Sequence, residues 1–110
     1  RFNKLLAGAS WMGEYGNPDI PEEWEYIKKY SPYQNLKEGV NYPEVFFTTS
    51  TRDDRVHPGH ARKMVAKMLD MGYKTYYYEN TEGGHAGSST NEQTATVNAL
   101  TYAYLLMKLK

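Results

Sequence analysis

With 110 residues the chain is at most one domain, with a modest core and little stability to spare. Thirteen basic residues balance thirteen acidic ones, which leaves no electrostatic case for nucleic acid or an anionic membrane as partner. The absence of cysteine excludes a disulfide framework and a thiol nucleophile, and it fits a cytoplasmic or a periplasmic setting equally.

No apolar run approaches the length of a membrane span. Arg1-Phe2-Asn3-Lys4 is not followed by a long apolar stretch, so the N-terminus does not read as a signal peptide. The first residue is not Met, and the expectation is that sequence upstream of Arg1 has been removed. Eleven tyrosines are an unusual number, suited to a packed core and rim or to a site that receives peptides or rings.

Phe2 to Gly8 is short and amphipathic and is expected to form the last turns of a helix, stopped by Gly8. Ser10 to Ile20 holds Gly13, Gly16, Asn17, Pro18 and Asp19, a loop composition. Pro21 then opens a helix that runs to about Lys29, with Glu22 and Glu23 where the helix dipole favours negative charge. Ser31-Pro32 ends it, because the residue before a proline is pushed out of the helical region. Tyr33 to Tyr42 reads as a further loop.

Val45 to Ser50 is β-branched and aromatic, and it starts apolar on both faces, as a buried parallel strand does. A helix is expected from His60 to Met71, with Pro58 at its first turn and Gly72 as its stop. Ala61, Met64, Val65, Met68 and Leu69 share its apolar side. Lys74 to Glu79 is a second strand with three consecutive tyrosines, and Asn80 to Ser89 is a glycine-rich loop. Thr90 or Asn91 caps a last helix, with Ala95, Ala99 or Leu100, Ala103, Leu106 and Met107 expected on its apolar side.

This order predicts an α/β fold: a right-handed βαβ unit of a parallel sheet, closed by a helix and preceded by a loop–helix segment. Ligand sites of such sheets lie at the carboxyl ends of the strands. Asp53-Asp54-Arg55-Val56 follows the first strand and Gly83-Gly84-His85-Ala86-Gly87 follows the second, so both loops should lie on one edge of the sheet. An acid after one strand and a histidine after the next are two thirds of an α/β-hydrolase triad, whose chain order is nucleophile, acid, histidine.

His85 can serve as a general base that takes a proton and returns it to the leaving group, or it can be a surface histidine in a pliant loop. Of the adjacent Asp53 and Asp54 only one can face a given partner; a buried acid would hold the histidine tautomer. As an alternative, both are helix N-terminal charges ahead of Pro58. Arg55 can steady the acids or point its fork at a carbonyl or carboxylate. Trp11 and Tyr15 read as a partly buried anchor or as walls of a pocket for a ring.

No serine is bracketed as Gly-x-Ser-x-Gly: Ser10 is followed two residues on by Met12, and Ser31, Ser50, Ser88 and Ser89 lack the glycines. The nucleophile is therefore expected outside this chain. His57 and His60 have no third ligand nearby, so no metal is expected, and a serine-hydrolase triad needs no organic cofactor.

These motifs, together with Trp11…Glu14-Tyr15-Gly16 and Lys29-Tyr30-Ser31-Pro32 in that order, resemble the C-terminal end of the prolyl oligopeptidase family of serine peptidases. The likeness extends over essentially all 110 residues, and the arginine after the acid pair places it nearest the prolyl oligopeptidase branch. The resemblance implies an α/β-hydrolase catalytic domain whose β-propeller lid is inserted earlier in the chain. It implies Asp53 as triad acid, His85 as triad histidine, Arg55 as a contact to bound peptide backbone, Trp11 as the ring stacked on substrate proline, and Tyr15 as a second pocket wall. Residues 1–110 would then be the C-terminal part of that domain, lacking the Gly-x-Ser-x-Gly segment, the oxyanion-hole residues and the propeller.

The expected partners are a proline-containing oligopeptide and the upstream remainder of the same catalytic domain and propeller, with no nucleic acid and no membrane. Alone, the chain is expected to be inactive and, with an unpaired strand edge, to self-associate. The competing readings are another α/β-hydrolase branch (dipeptidyl peptidase, aminopeptidase or esterase) and a non-catalytic hydrolase end that serves as an interaction module.

Overall fold

The computed structural model describes all residues from Arg1 to Lys110. Two parallel strands, β1 (Val45–Ser50) and β2 (Thr75–Asn80), pair in register from Val45 opposite Thr75 to Ser50 opposite Asn80. Helix α4 (Gly59–Asp70) connects them and helix α5 (Asn91–Leu109) follows β2. Ahead of β1 lie two 3-10 segments, Phe2–Lys4 and Leu6–Trp11, and three short helices, α1 (Met12–Tyr15), α2 (Pro21–Ile27) and α3 (Pro32–Asn35). The βαβα order is the one predicted. No helix is long and apolar enough to cross a membrane.

The region before β1 departs from expectation. Gly8 does not stop a helix; the 3-10 turns continue through it to Trp11. Its role is close packing, because the carbonyl oxygen of Phe2 lies 1.8 Å from where a Cβ would stand. The expected loop after Ser10 contains the turn α1, closed by Gly16 N–H donating to Met12 O, with Gly16 at φ 96°. Helix α2 ends at Ile27, two residues early, where the bonding tightens from i→i−4 to i→i−3 at Lys29 and Tyr30. Pro32 opens α3 rather than only closing α2, since a proline at the first helical position lacks a donor the helix would leave unused.

The two sheet faces are covered differently. Side chains alternate along a strand, so Phe46 and Tyr76, register partners, share one face while Tyr77 and Glu79 share the other. On the first face Tyr104 of α5 packs against both rings, 5.4 Å from Phe46 and 5.9 Å from Tyr76, and donates its hydroxyl to Glu44 O at 2.8 Å. Lys108 and Lys74 both pair with the Glu44 carboxylate, and Lys108 first among them holds that carboxyl below its usual range. On the second face Arg62 of α4 forms a two-bond contact with Glu79, which also accepts from Thr51 and Tyr77. Arg62, then Thr51 and Tyr77, hold the Glu79 carboxyl down at about 2.

Burial along the two helices is uneven. In α4, Val65 and Met68 are buried but Leu69 is 54% exposed. In α5, the half-buried residues are Gln93, Val97, Thr101 and Tyr104; Ala95, Ala99, Leu100, Ala103, Leu106 and Met107 face solvent. Tyr104, with two ring contacts and a hydroxyl partner, marks the side of α5 that meets the sheet. The strand bodies are also only half-buried rather than fully enclosed, because the sheet has two strands and each keeps one unpaired edge.

Thr90 caps α5 by accepting from Gln93 N–H at 3.2 Å. Thr90→Ala should weaken this end by about 1 kcal/mol, so that first-turn amides exchange with solvent about fivefold faster, while Thr90→Ser holds the rate. The Glu79 pair sets an acid limit. A carboxylate depressed on folding contributes stability that is complete above its unfolded value near 4.5 and is lost as pH falls toward about 2. Arg62→Met should flatten the loss of stability across that window in acid unfolding followed by circular dichroism.

Candidate active site

Both strands end in residues that turn the chain sharply at the same edge. After β1, Thr51 N–H donates to Asn80 O at 2.8 Å, and Asp53 N–H donates to Ser50 O at 3.2 Å. The Asp53 side chain then folds back over its own loop, with Oδ1 accepting from the N–H of Arg55 at 3.0 Å and of Val56 at 2.9 Å. This is an Asx turn, the local conformation aspartate favours. It settles which acid faces inward: Asp53 has 11% of its side chain exposed, and Asp54 faces solvent.

After β2 the glycine-rich segment brings His85 across to this carboxylate. His85 Nδ1 lies 3.1 Å from Asp53 Oδ1 and 3.0 Å from Oδ2. An ionised carboxylate only accepts, so Nδ1 carries a proton, and in the neutral tautomer this contact selects, Nε2 is the free acceptor. The histidine side chain is 42% exposed, so the ring is accessible from solvent. Burial acts to raise the Asp53 pKa, but the N–H of Val56, the His85 ring and the N–H of Arg55 together hold it below the usual value. Asp53 is thus an anion at neutral pH, suited to orient an imidazole and to stabilise it when charged.

Asp53 and His85 share a cavity of about 400 Å³ with Ser50, His57, His60 and Val97 of α5. His57 turns Nδ1 onto Gly59 N–H at 2.9 Å, a bond that closes the entry to α4. Of the other residues singled out from sequence, Arg55 presents its backbone to Asp53 and keeps its side chain exposed. Trp11 lies at the end of a 3-10 segment rather than in a loop, and Tyr15 meets Phe2 edge-on at 6.2 Å. Neither ring lines the cavity of Asp53 and His85. The structure brings together the acid and the histidine and leaves the two aromatic residues on separate turns.

Sequence reasoning missed Ser50 and Asn80. They are the last residues of the two strands, opposite one another in register and buried to 3% and 4% exposure. Ser50 Oγ and Asn80 Nδ2 both donate to Gly87 O, at 2.9 and 3.0 Å. The available signal was a polar residue at the carboxyl end of each apolar strand.

Known proteins resemble this chain in sequence and in fold. The family model for the prolyl oligopeptidase family matches residues 2–110. An uncharacterized peptidase of Sinorhizobium fredii is 55% identical over 108 residues, covering 98% of this chain and 15% of the relative. A prolyl endopeptidase of Elizabethkingia miricola is 38% identical, covering 100% of this chain and 16% of the relative. A solved chain from a structural and mechanistic analysis of two prolyl endopeptidases superposes with a TM-score of 0.91 at 28% identity, covering 97% of this chain and 16% of its own length. Prolyl oligopeptidase B from Galerina marginata, solved with a 35-residue hydrolysis and macrocyclization substrate, gives a TM-score of 0.68 at 32% identity over 74% of this chain and 12% of its own. The chain spans about 15% of the length of the curated relatives it matches. With sequence and fold agreeing along nearly its whole length, the chain belongs to the prolyl oligopeptidase family, and its α/β unit is a part of that family's catalytic fold.

Proposed function

We propose that residues 1–110 are the C-terminal part of the catalytic domain of a serine peptidase that cleaves peptides after proline, and that they supply its acid and histidine. The observation that supports this most directly is the His85 Nδ1 to Asp53 carboxylate pair at the carboxyl ends of two neighbouring parallel strands. In this reading a serine outside the chain attacks the carbonyl carbon of the proline residue, and the amine of the next residue leaves. His85 Nε2 takes the serine proton and passes it to the leaving amine, and Asp53 orients the ring and offsets its positive charge. Water, activated by the same histidine, then cleaves the acyl-enzyme and restores the serine. Arg55 holds the peptide backbone, and Trp11 with Tyr15 receives the proline ring. No metal or organic cofactor enters any step.

The 110-residue chain alone would be inactive, since no serine hydroxyl is hydrogen-bonded to His85. The open edges of β1 and β2, with the bare apolar side of α5, would drive it to associate. Sedimentation at tens of micromolar should therefore show oligomers, and a monomer would count against this part of the reading.

Hydrolysis of an amino-blocked Gly-Pro reporter by the full-length protein tests the reading as a whole. His85→Ala should abolish turnover, and Asp53→Asn should lower kcat by about ten-thousandfold with the fold intact. Trp11→Ala should raise KM about tenfold or more through the lost stacking area, with a smaller change in kcat. Reporter cleavage that requires a free amino terminus would reassign the protein to the dipeptidyl or aminopeptidase type. Labelling by a fluorophosphonate without reporter cleavage would keep the hydrolase and remove the proline preference.

A further inference from the structure

Two buried side chains meet the histidine loop at one backbone atom. Gly87 O, two residues beyond His85, receives both the Ser50 hydroxyl and the Asn80 amide. The same Asn80 side chain works at the other end of the loop, where Oδ1 accepts from Glu82 N–H at 3.0 Å and Gly83 N–H at 3.1 Å. One buried amide thus grips both ends of the segment that carries His85. The loop also closes on itself: Gly87 N–H donates to Gly84 O at 2.9 Å, and a Cβ on Gly83 would stand 1.5 Å from Gly87 O. Only glycine at position 83 allows that carbonyl to reach its two donors. Ser50 reaches the acid as well, because its own carbonyl accepts from Asp53 N–H.

A hydroxyl and an amide buried this deeply destabilise the fold unless they are bonded, so their placement at the two strand ends requires an acceptor there. We infer that Ser50 and Asn80 are positioning residues: by fixing Gly87 O they hold His85 at hydrogen-bond distance from Asp53. Neither side chain needs to touch substrate; both act through the loop backbone on the histidine. This deepens the peptidase reading and rests on it.

Asn80→Asp is isosteric. It keeps an acceptor toward Glu82 and Gly83 but replaces the donor to Gly87 O with a carboxylate oxygen, which repels it. Ser50→Ala removes the other donor without adding bulk. In the full-length protein each variant should lower kcat about tenfold to a hundredfold with KM held within about twofold, since misplacing a reacting group by an ångström costs that much. The downfield proton resonance of His85 Nδ1–H should broaden or vanish at the same time. A kcat within about twofold of the parent with that resonance intact, while His85→Ala is dead, would overturn the positioning role and leave the peptidase reading standing. An active His85→Ala variant would instead remove the reading on which the inference rests. Should Asn80→Asp fail to fold, Ser50→Ala decides: a fall in kcat/KM carried by KM, with the resonance retained, also overturns the inference.

Discussion

The in-register parallel pairing of β1 with β2 is the constraint from which the site follows. Because Ser50 stands opposite Asn80, both strands stop at one level, and both chain reversals occur at one edge of the sheet. A slip by one residue would send every side chain to the opposite face. Phe46 and Tyr76 would then no longer present a joint surface to Tyr104, and Ser50 and Asn80 could not converge on Gly87 O. The Asp53–His85 pair thus depends on the register of residues up to five positions back along each strand.

That register is protected from both faces by different chemistry. On the α5 face the protection is aromatic, with Tyr104 against two rings and its hydroxyl on Glu44 O. On the α4 face it is ionic, with Glu79 held by Arg62, Thr51 and Tyr77. Few side chains are fully buried; Ile27, Leu36, Val65 and Met68 make up the apolar core. Polar contacts at the strand ends therefore carry an unusual share of the local order. An ion pair of this kind yields modest stability on its own, but it specifies geometry where packing does not.

The electrostatics of the two carboxylates fit their separate places. Glu79 is depressed by a direct guanidinium contact and braces the fold. Asp53 is depressed by backbone and imidazole donors, working against its partial burial, and its second oxygen remains on the histidine. Asp54, one residue on, makes no such contacts and lies in solvent. Adjacent residues of one type thus acquire different chemistry from the direction in which the turn points them.

Much of this was legible in the chain itself, and the rest was not, for physical reasons. The strands at Val45–Ser50 and near Thr75–Asn80, the helices on either side of β2 and the placement of Asp53 and His85 on one edge follow from local pattern: β-branched runs, proline and glycine stops, and the fixed geometry of parallel connections. The helical turns around Trp11 and Tyr15 were hidden because glycine-rich composition permits a turn as readily as a loop. Which side of α5 meets the sheet was not legible because spacing reveals an apolar stripe but not which neighbour the helix meets; Tyr104 decided that, through two rings and a carbonyl distant in sequence. Which aspartate faces the histidine and which strand-end side chains hold the histidine loop likewise depend on contacts across 32 and 37 residues. The sequence by itself determined the elements, their order and the residue types at the strand ends. The distances and orientations that make those residues a site were decided only by tertiary structure, because long-range hydrogen bonds leave no periodic trace in the chain.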